Sequence, residues 1–557
     1  MQDIILGGNC LKFLKYFIDL FWGKKEVTKT KIILFTSVFF VLFDNLTFFH
    51  NVLLVYPFSF KNIGFLISLC IGIVAIIVLF LTLVTSKHTT KPTLISLLLI
   101  TSFTAYFMDS YNVVIDHIMI QNMVETNWTE TSDLLSLKML YYFLFLGVFP
   151  SLFIYRLKIT NYPLKKTAIF KIRDSLISIV ILFVMILSFS KFYTSFFREN
   201  KPLRYYINPT YYIYSGGKYL NRTINTKEIT ISPLGIDAQV VELDDDGNDE
   251  YTELVILVVG EAARADHFSL NGYERETNPL LKQENIINFS QMYSCGTSTS
   301  YSVPCMFSNY PRKKFNNKKG DENENILDVL NHTGFVDILW RDNNSDSKGV
   351  ALRVPYEDYK IPENNTICSE GECRDEGMLV GLDKYVAQHK GRDILIVLHQ
   401  MGNHGPAYYK RYPKKFEIFT PVCRTNQIEE CSKEEIINAY DNALLYTDYF
   451  LSKVIDFLKK HDTTHETAMV YFSDHGESLG ENGVYLHGLP YIMAPEPQKH
   501  IGALMWFGDE ISKDIDLNKV RHKQNERYSH DNLFHTLLGL FEIDTDIYRK
   551  EMDILNN

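Results

Sequence analysis

Apolar residues divide the chain into two regions. Residues 32–193 are dominated by long apolar runs, whereas residues 200–557 have the mixed pattern of a globular domain. A helix needs about 20 mostly apolar residues to cross the roughly 30 Å hydrocarbon core of a bilayer. Five segments approach that length and are predicted to be membrane spans, the third continuing towards Tyr111: Ile32–Phe49, Ile63–Thr85, Leu94–Phe107, Met139–Tyr155 and Leu176–Tyr193. The sequence thus predicts a five-span α-helical membrane domain.

The distribution of lysine and arginine predicts how these spans are oriented. Basic residues cluster before the first span, after the second and after the fourth, whereas the intervening loops contain only Lys61 and Lys138. Loops rich in lysine and arginine stay on the cytoplasmic side of a membrane. The N-terminus is therefore predicted to be cytoplasmic, and five crossings place the C-terminal region outside the cytoplasm.

The C-terminal region shows the pattern of an α/β domain. Helix-like stretches separate short, continuous apolar runs: Leu254–Val259, Asp337–Trp340, Ile394–Leu398 and Ala468–Phe472. Such runs are typical of parallel strands that are covered by helices on both faces. We expect a transmembrane domain over 1–195, a bridging segment over 196–250, and a catalytic domain over 251–557 with a central, mostly parallel sheet.

Polar residues follow three of these strands directly. Glu261 comes after the first, His399 and then His404 after the third, and Asp474 with His475 after the fourth. Ligands bind beyond the carboxyl ends of the strands in such sheets. Carboxylate and imidazole ligands together suit zinc with an open position for a hydroxyl or water. The sequence predicts a zinc site at this edge of the sheet.

A nearby segment supplies candidate nucleophiles. The run CGTSTSYSVPC holds Ser298, Thr299, Ser300 and Ser302, and zinc would activate a bound hydroxyl near neutral pH. Chemistry alone does not choose among the four hydroxyls. Two further polar residues receive structural interpretations: His399 as a residue packed beside a strand end and Glu477 as a helix cap.

Composition narrows the function further. The net charge of −10 argues against nucleic-acid binding, which needs a basic face. Six of the eight cysteines form close pairs without a CxxC spacing: Cys295 with Cys305, Cys368 with Cys373, and Cys423 with Cys431. Locally paired cysteines in a non-cytosolic domain predict disulfides. This agrees with the orientation derived from the lysines.

The loop Asp109–Leu135, between the third and fourth spans, has two interpretations. It carries Asp116, Asn122, Glu125 and Glu130 beside apolar residues. It is either an amphipathic helix on the membrane surface or a contact for a lipid headgroup, where a carboxylate pairs with an ammonium group.

Five long runs closely resemble one enzyme family: VVGEAARADHFSLNGYERETNPLL, SCGTSTSYSVPCMFS, WRDNNSDSKGV, MGNHGPAYYKRYP and YFSDHGESLGENGVYLHG. They are similar to the phosphoethanolamine–lipid A transferases, which include the mobile colistin-resistance enzymes and belong to the alkaline phosphatase superfamily. The resemblance covers nearly the whole chain. It implies an alkaline phosphatase/sulfatase-like soluble domain.

The resemblance also implies roles for individual residues. The nucleophile corresponds to Thr299, and the zinc ligands correspond to Glu261, Thr299, Asp474 and His475. Contacts to substrate or a second metal correspond to Lys348, His404 and His487. Lipid contacts in the membrane loop best match Asn122 and Glu130, with Glu125 as the alternative to Glu130.

The implied reaction moves phosphoethanolamine from phosphatidylethanolamine to a lipid A phosphate through a phosphoethanolamine-threonine, and gives polymyxin and colistin resistance. Either His404 or His487 is the general acid for the leaving glyceride oxygen. The enzyme is expected to be a monomer in the bacterial inner membrane with a periplasmic catalytic domain. Alternatives are a phosphodiesterase or sulfatase, although a CxPSR segment is missing, a glycerol-phosphate polymerase, and a non-catalytic lipid-binding protein.

Overall fold

The computed structural model describes residues 26–125, 134–198, 200–224, 231–241, 252–369 and 371–556. The chain forms two compact units. The first comprises Met1–Ile120 and Leu135–Thr223, and the second comprises Gln121–Leu134 and Ile224–Asn557. Part of the predicted membrane loop thus belongs to the second unit.

The first unit is helical. Its helices, together with α5, which continues into the second unit, are α1 (Lys29–Phe43), α2 (Leu46–Val55), α3 (Ile63–Val84), α4 (Thr90–Tyr111), α5 (His117–Glu125), α6 (Leu137–Arg156, with a π-helical turn over Phe143–Val148), α7 (Leu164–Ser188), α8 (Ser190–Arg198) and α9 (Thr210–Ile224). A 3₁₀ turn covers Lys201–Tyr206, and two short strands, β1 (Glu26–Val27) and β2 (Lys158–Ile159), pair in parallel.

Between three and five helical segments of the described residues can cross a membrane. Helices α3, α4 and α6 are long and apolar enough by themselves. The pair α1 and α2 bends by 58°, and α7 with α8 over Leu164–Phe197 bends by 95°. The structure therefore supports a membrane domain, and the predicted five spans correspond to counting each bent pair as one crossing.

The first bend has an identifiable cause. Asn45 donates its amide to the carbonyl oxygens of Phe40 at 2.9 Å and Asn208 at 3.0 Å, and Asn208 returns a backbone hydrogen bond to Asn45 at 2.9 Å. These bonds take up polar groups where the helix is interrupted, because a broken helix in an apolar environment needs other partners. A partner more than 160 residues away thus stabilises the break.

The second unit is built on a seven-stranded sheet. Its strand order is β5 (Ile287–Asn288), β16 (Ala503–Phe507), β12 (His465–Ser473), β4 (Thr252–Gly260), β11 (Asp393–His399), β7 (Val336–Asp342) and β8 (Tyr356–Asp358). The strands from β12 to β8 are parallel, and β16 is antiparallel to both of its neighbours. The prediction of a mostly parallel sheet is confirmed in this mixed form.

Short strand pairs and helices complete this unit. The additional strands are β3 (Gln239–Val240), β6 (Met292–Tyr293), β9 (Cys368–Ser369), β10 (Glu372–Cys373), β13 (Ser478–Leu479), β14 (Tyr485–Leu486), β15 (His500–Ile501), β17 (Tyr528–Ser529) and β18 (Ile543–Asp544). The α-helices are α10 (Thr299–Met306), α11 (Asn317–Glu322), α12 (Ile326–His332), α13 (Leu382–Gln388), α14 (Lys433–His461), α15 (Leu517–Lys523) and α16 (Leu533–Leu540).

The sheet brings the predicted polar residues to one edge. Strands β4, β11 and β12 are continuous apolar runs that are fully buried over most of their length, as expected for strands covered on both faces. Ser473 is the register partner of Gly260, and His399 is the partner of Val259. The residues that follow each strand therefore leave the sheet at the same level.

The three predicted disulfides are present. They join Cys295 to Cys305, Cys368 to Cys373, and Cys423 to Cys431. The first closes the segment that contains the candidate nucleophiles, the second joins β9 to β10, and the third precedes α14. Cys70 is a free thiol of the described region.

Candidate active site

Thr299 is the first residue of helix α10, directly after the extended residue Ser298. Its hydroxyl donates to Oε2 of Glu261 at 3.1 Å and lies 3.4 Å from Nε2 of His475. The side chain is buried, with 9% of the residue exposed. The Thr299 hydroxyl is thus surrounded by residues that follow strands β4 and β12.

The neighbouring hydroxyls are engaged elsewhere. Ser300 donates to Oδ1 of Asn122, and Ser302 donates to the backbone oxygen of Asp474. Ser302 also accepts the backbone N–H of Gly296 at 3.2 Å, which fixes the turn before α10. The geometry therefore singles out Thr299 among these three hydroxyls as the one directed at the acidic and imidazole cluster.

Glu261, Asp474 and His475 form a buried group that can hold a metal ion. One ligand atom from each lies within 4.8 Å of the others. Nε2 of His475 is 3.4 Å from Oε1 of Glu261 and 3.4 Å from Oδ2 of Asp474. Neither carboxylate oxygen has a hydrogen-bond donor among the described residues. Because buried carboxylates are costly without a compensating partner, these oxygens fit the ligand positions of a cation.

The imidazole of His475 is prepared for the same role. Its Nδ1 lies 2.8 Å from the carbonyl oxygen of Gly476, which requires the proton on Nδ1 and leaves the Nε2 lone pair directed at the carboxylates. Burial, reinforced by the neighbouring His487, lowers the pKa of His475 to about 3. Burial also raises the pKa of Asp474 to about 6, although His399 opposes this shift. A neutral imidazole beside carboxylates suits zinc coordination.

A second group lies beside the first and shares Glu261. Glu261, His404 and His487 can also offer one ligand atom each within 4.8 Å of one another. The ring of His487 is 4.2 Å from that of His475 and 5.9 Å from that of His404, measured between centroids. These histidines therefore border the cluster around Thr299, where they can contact a substrate or a second metal ion.

Two buried residues position this site and were missed or misinterpreted from the sequence. Asn344, after strand β7, donates to Oε2 of Glu261 at 2.9 Å and to the carbonyl of Gln400 at 2.8 Å. Glu477 is not a helix cap, because no helix follows it in the described chain. Its carboxylate lies 3.2 Å from Nδ1 of His487. The motif DHGE places this carboxylate near the cluster, but the partner is visible only in the fold.

Glu477 determines the charge of His487. Burial lowers the pKa of His487, but the Glu477 carboxylate outweighs it and raises the pKa to about 9. His399, as interpreted from the sequence, packs at the end of β11, where Asp342 accepts from it at 2.9 Å. Asp342 also accepts from the indole of Trp340 at 2.9 Å, so that this histidine belongs to a separate buried network.

Two of the implied substrate contacts receive different outcomes. The ammonium group of Lys348 lies 3.4 Å from Asp346 and contacts no member of the Thr299 cluster among the described residues. Asn122 accepts from Ser300, next to Thr299, and its neighbour Gln121 accepts from Asn317 at 3.0 Å. Both asparagine contacts lie within the second unit. Glu130 and the side chain of Glu125 lie outside the described residues.

The fold and the site together define a class of enzyme. A family model described as Sulfatase matches residues 253–543, the region that contains the sheet and the cluster around Thr299. The second unit is thus an alkaline phosphatase-like domain with a hydroxyl at a candidate metal site. A second family model, described as Phosphoethanolamine transferase EptA/EptB, matches residues 73–224.

Relatives define the family within that class. The chain is 45% identical over 531 residues to the phosphatidylethanolamine transferase Mcr-2 of Escherichia coli, covering 94% of this chain and 96% of the relative. It is 38% identical over 516 residues to the phosphoethanolamine transferase EptA of Escherichia coli K12, covering 92% and 93%.

A solved structure agrees over the same length. The integral membrane protein lipooligosaccharide phosphoethanolamine transferase A from Neisseria meningitidis matches with a TM-score of 0.90 at 34% identity, covering 96% of this chain and 99% of that one. The chain belongs to the phosphoethanolamine transferase family of the EptA and Mcr type, as the resemblance of its motifs predicted.

Proposed function

We propose that this enzyme transfers phosphoethanolamine from phosphatidylethanolamine to a lipid A phosphate, with Thr299 as the nucleophile and zinc as the cofactor. One observation carries the proposal. The Thr299 hydroxyl lies at the start of helix α10, 3.1 Å from Glu261 and 3.4 Å from His475, among residues that fit a metal ion. A positively polarised helix start also favours the anionic phosphate of a substrate.

The residues that would hold zinc are Glu261, Asp474 and His475, with the Thr299 oxygen completing the set. When bound, zinc lowers the pKa of a coordinated hydroxyl and neutralises charge that develops on a transferring phosphoryl group. The choice of zinc rests on the mixture of carboxylate and imidazole donors. Asn344 holds Glu261 in place through its hydrogen bond to Oε2.

Transfer takes place in two steps. In the first, Oγ1 of Thr299 forms a bond to the phosphorus of phosphatidylethanolamine, and the bond from phosphorus to the glyceride oxygen breaks. Diacylglycerol leaves after its oxygen gains a proton, and phosphoethanolamine remains on Thr299. In the second step, a lipid A phosphate oxygen attacks the same phosphorus and releases Thr299. Two bulky lipids can thus use one site in turn.

The proton for the glyceride oxygen comes from a histidine. His404 and His487 both border the cluster, and Glu477 keeps His487 protonated near neutral pH because it raises the pKa of that histidine to about 9. A protonated imidazole is a general acid. The geometry favours His487 for this role, with His404 as a contact for the phosphate group.

The arrangement in the cell follows from the two units. We propose a monomer in the bacterial inner membrane with a cytoplasmic N-terminus, a transmembrane domain over 1–195, a bridging segment over 196–250 and a periplasmic catalytic domain over 251–557. The disulfides of the second unit support an oxidising location. Modification of lipid A reduces its negative charge and would give resistance to the cationic polymyxins, including colistin.

Mass spectrometry of lipid A tests the proposed function. A polymyxin-sensitive bacterium that expresses the full chain should gain phosphoethanolamine on lipid A and grow at higher polymyxin concentration. Thr299→Ala should lose both effects. Ser300→Ala is the matched control, because its hydroxyl lies on the next residue but contacts Asn122, and it should retain transfer. Unmodified lipid A in cells that contain the intact, folded enzyme would refute the proposal.

A further inference from the structure

A cavity of about 300 Å³ lies in the first unit, away from the cluster around Thr299. It is formed by the start of α1, the residues that follow α3 and the first turns of α7. Its charged lining consists of five cations and one carboxylate: Lys29, Lys31, Lys87, Lys171, Arg173 and Asp174. The cavity therefore has a strong excess of positive charge.

The carboxylate in this cavity is already neutralised. Asp174 accepts the hydroxyl of Thr30, and its Oδ1 accepts from Nε and Nη2 of Arg173 at 2.9 and 2.7 Å. The side chain of Asp174 is only 9% exposed, whereas that of Arg173 is 48% exposed. Asp174 thus orients the arginine and leaves the remaining cations to a ligand.

Two lysines are held at fixed positions with donors to spare. Lys29 donates to the carbonyl of Thr85 at 2.8 Å, and Lys171 donates to the carbonyl of Leu83 at 2.9 Å. Each ammonium group has three hydrogens, and the described bond uses one. Both lysines are therefore anchored at the end of α3 while they present donors to the cavity.

An apolar groove continues from this cavity. It has a volume of about 630 Å³ and runs between α1, α3 and α7, where aliphatic side chains such as Leu34, Val38 and Val74 line it. It shares Thr30, Arg173 and Asp174 with the cationic cavity. From Thr30 to Leu42 the helix rises by about 18 Å at 1.5 Å per residue, slightly more than half of the roughly 30 Å hydrocarbon core.

We propose that the cavity and groove together bind one anionic phospholipid, with its phosphate among Lys29, Lys171 and Arg173 and an acyl chain in the groove. The charge excess matches a lipid with a net negative headgroup, whereas the ammonium of a zwitterionic lipid would meet other cations. The groove has the length of an acyl chain, which a soluble phosphate lacks. This site lies in the first unit and is independent of the proposed transfer at Thr299.

Native mass spectrometry of the full chain in detergent tests this site. The protein should retain one dioleoyl phosphatidylglycerol with clear preference over dioleoyl phosphatidylcholine. Lys29→Gln combined with Lys171→Gln keeps a donor at each position but removes two charges, and should weaken phosphatidylglycerol binding about 25-fold, or about fivefold for each cation. Lys165→Gln with Lys166→Gln is the control, since it removes the same charge from exposed residues of α7 that do not line the cavity.

The groove is tested with Val74→Trp, which fills it, and with Leu34→Trp from its opposite wall in case the first variant does not fold. Either folded variant should weaken phosphatidylglycerol binding, and inorganic phosphate in large excess should not displace the lipid from the unaltered protein. Equal loss in the Lys165 and Lys166 control would reduce the effect to general surface charge and overturn the site. Equal retention of phosphatidylcholine, or displacement by phosphate without an effect of Val74→Trp, would overturn the assignment to an anionic lipid.

Discussion

Asn344 offers a sharp test of how the site holds its metal ion. The residue is buried, and its amide donates to Oε2 of Glu261 at 2.9 Å and to the carbonyl of Gln400 at 2.8 Å. Asn344→Ala removes both bonds and frees the Glu261 carboxylate to rotate. A hydrogen bond to a buried charged group contributes about 1.5–3 kcal/mol. Residues that orient metal ligands typically change metal affinity by about 10- to 100-fold.

We therefore expect Asn344→Ala to bind zinc about 10- to 100-fold more weakly, measured by competition with a chelator on the purified full chain. Asn343→Ala is the matched control. Asn343 is also buried and donates to Asp375 at 2.7 Å and to the carbonyl of Cys373 at 3.0 Å, without contacting Glu261. Unchanged zinc affinity in Asn344→Ala, or an equal loss in Asn343→Ala, would refute the role of Asn344 as the residue that positions Glu261.

Further predictions concern pH and stability. Glu477→Gln removes the carboxylate that raises the pKa of His487 to about 9, so the alkaline limit of transfer should move to lower pH; an unchanged pH–rate profile would exclude His487 as the acid. Burial lowers the pKa of His530 from 6.5 to about 4, so the folded protein should lose up to about 3 kcal/mol of stability as the pH falls from 6.5 to 4. His530→Asn, which keeps an acceptor for the backbone N–H of Cys295, should lessen that loss in urea unfolding series. Replacing Cys295 and Cys305 by alanine should lower the unfolding free energy by about 2–3 kcal/mol and reduce transfer, and equal stability to wild type would contradict this.

The strand ends of the second unit were predictable because two simple signals coincide there. Buried parallel strands are continuous apolar runs, and Glu261, Asp474 and His475 follow such runs directly. Parallel pairing then brings them to one edge, as the register of Ser473 with Gly260 shows. The edge of the sheet is therefore a local property of the sequence combined with one topological rule.

The residues that support the site were not predictable in the same way. Asn344 reaches Glu261 across more than 80 positions of the chain, and Glu477 meets His487 only because the segment between them turns back. Loop polar residues carry no periodic signal, so their partners depend on tertiary packing. The break between α1 and α2 has the same origin, since Asn45 is stabilised by the distant Asn208.

The choice of Thr299 among several hydroxyls has an intermediate status. Chemistry alone left Ser298, Thr299, Ser300 and Ser302 equivalent, and family resemblance selected Thr299. The structure adds that the Thr299 hydroxyl contacts Glu261 and His475, while Ser300 and Ser302 bond elsewhere. The start of a helix, rather than any local sequence pattern, makes this distinction.

Mass spectrometry of the enzyme itself tests the central claim most directly. The purified full chain, incubated with phosphatidylethanolamine in detergent and then digested, should carry phosphoethanolamine on the peptide that contains Thr299, and added lipid A should remove it. Thr299→Ala should show neither the adduct nor transfer. Transfer by Thr299→Ala, or an adduct on another residue that lipid A consumes, would contradict the account of Thr299 as the nucleophile.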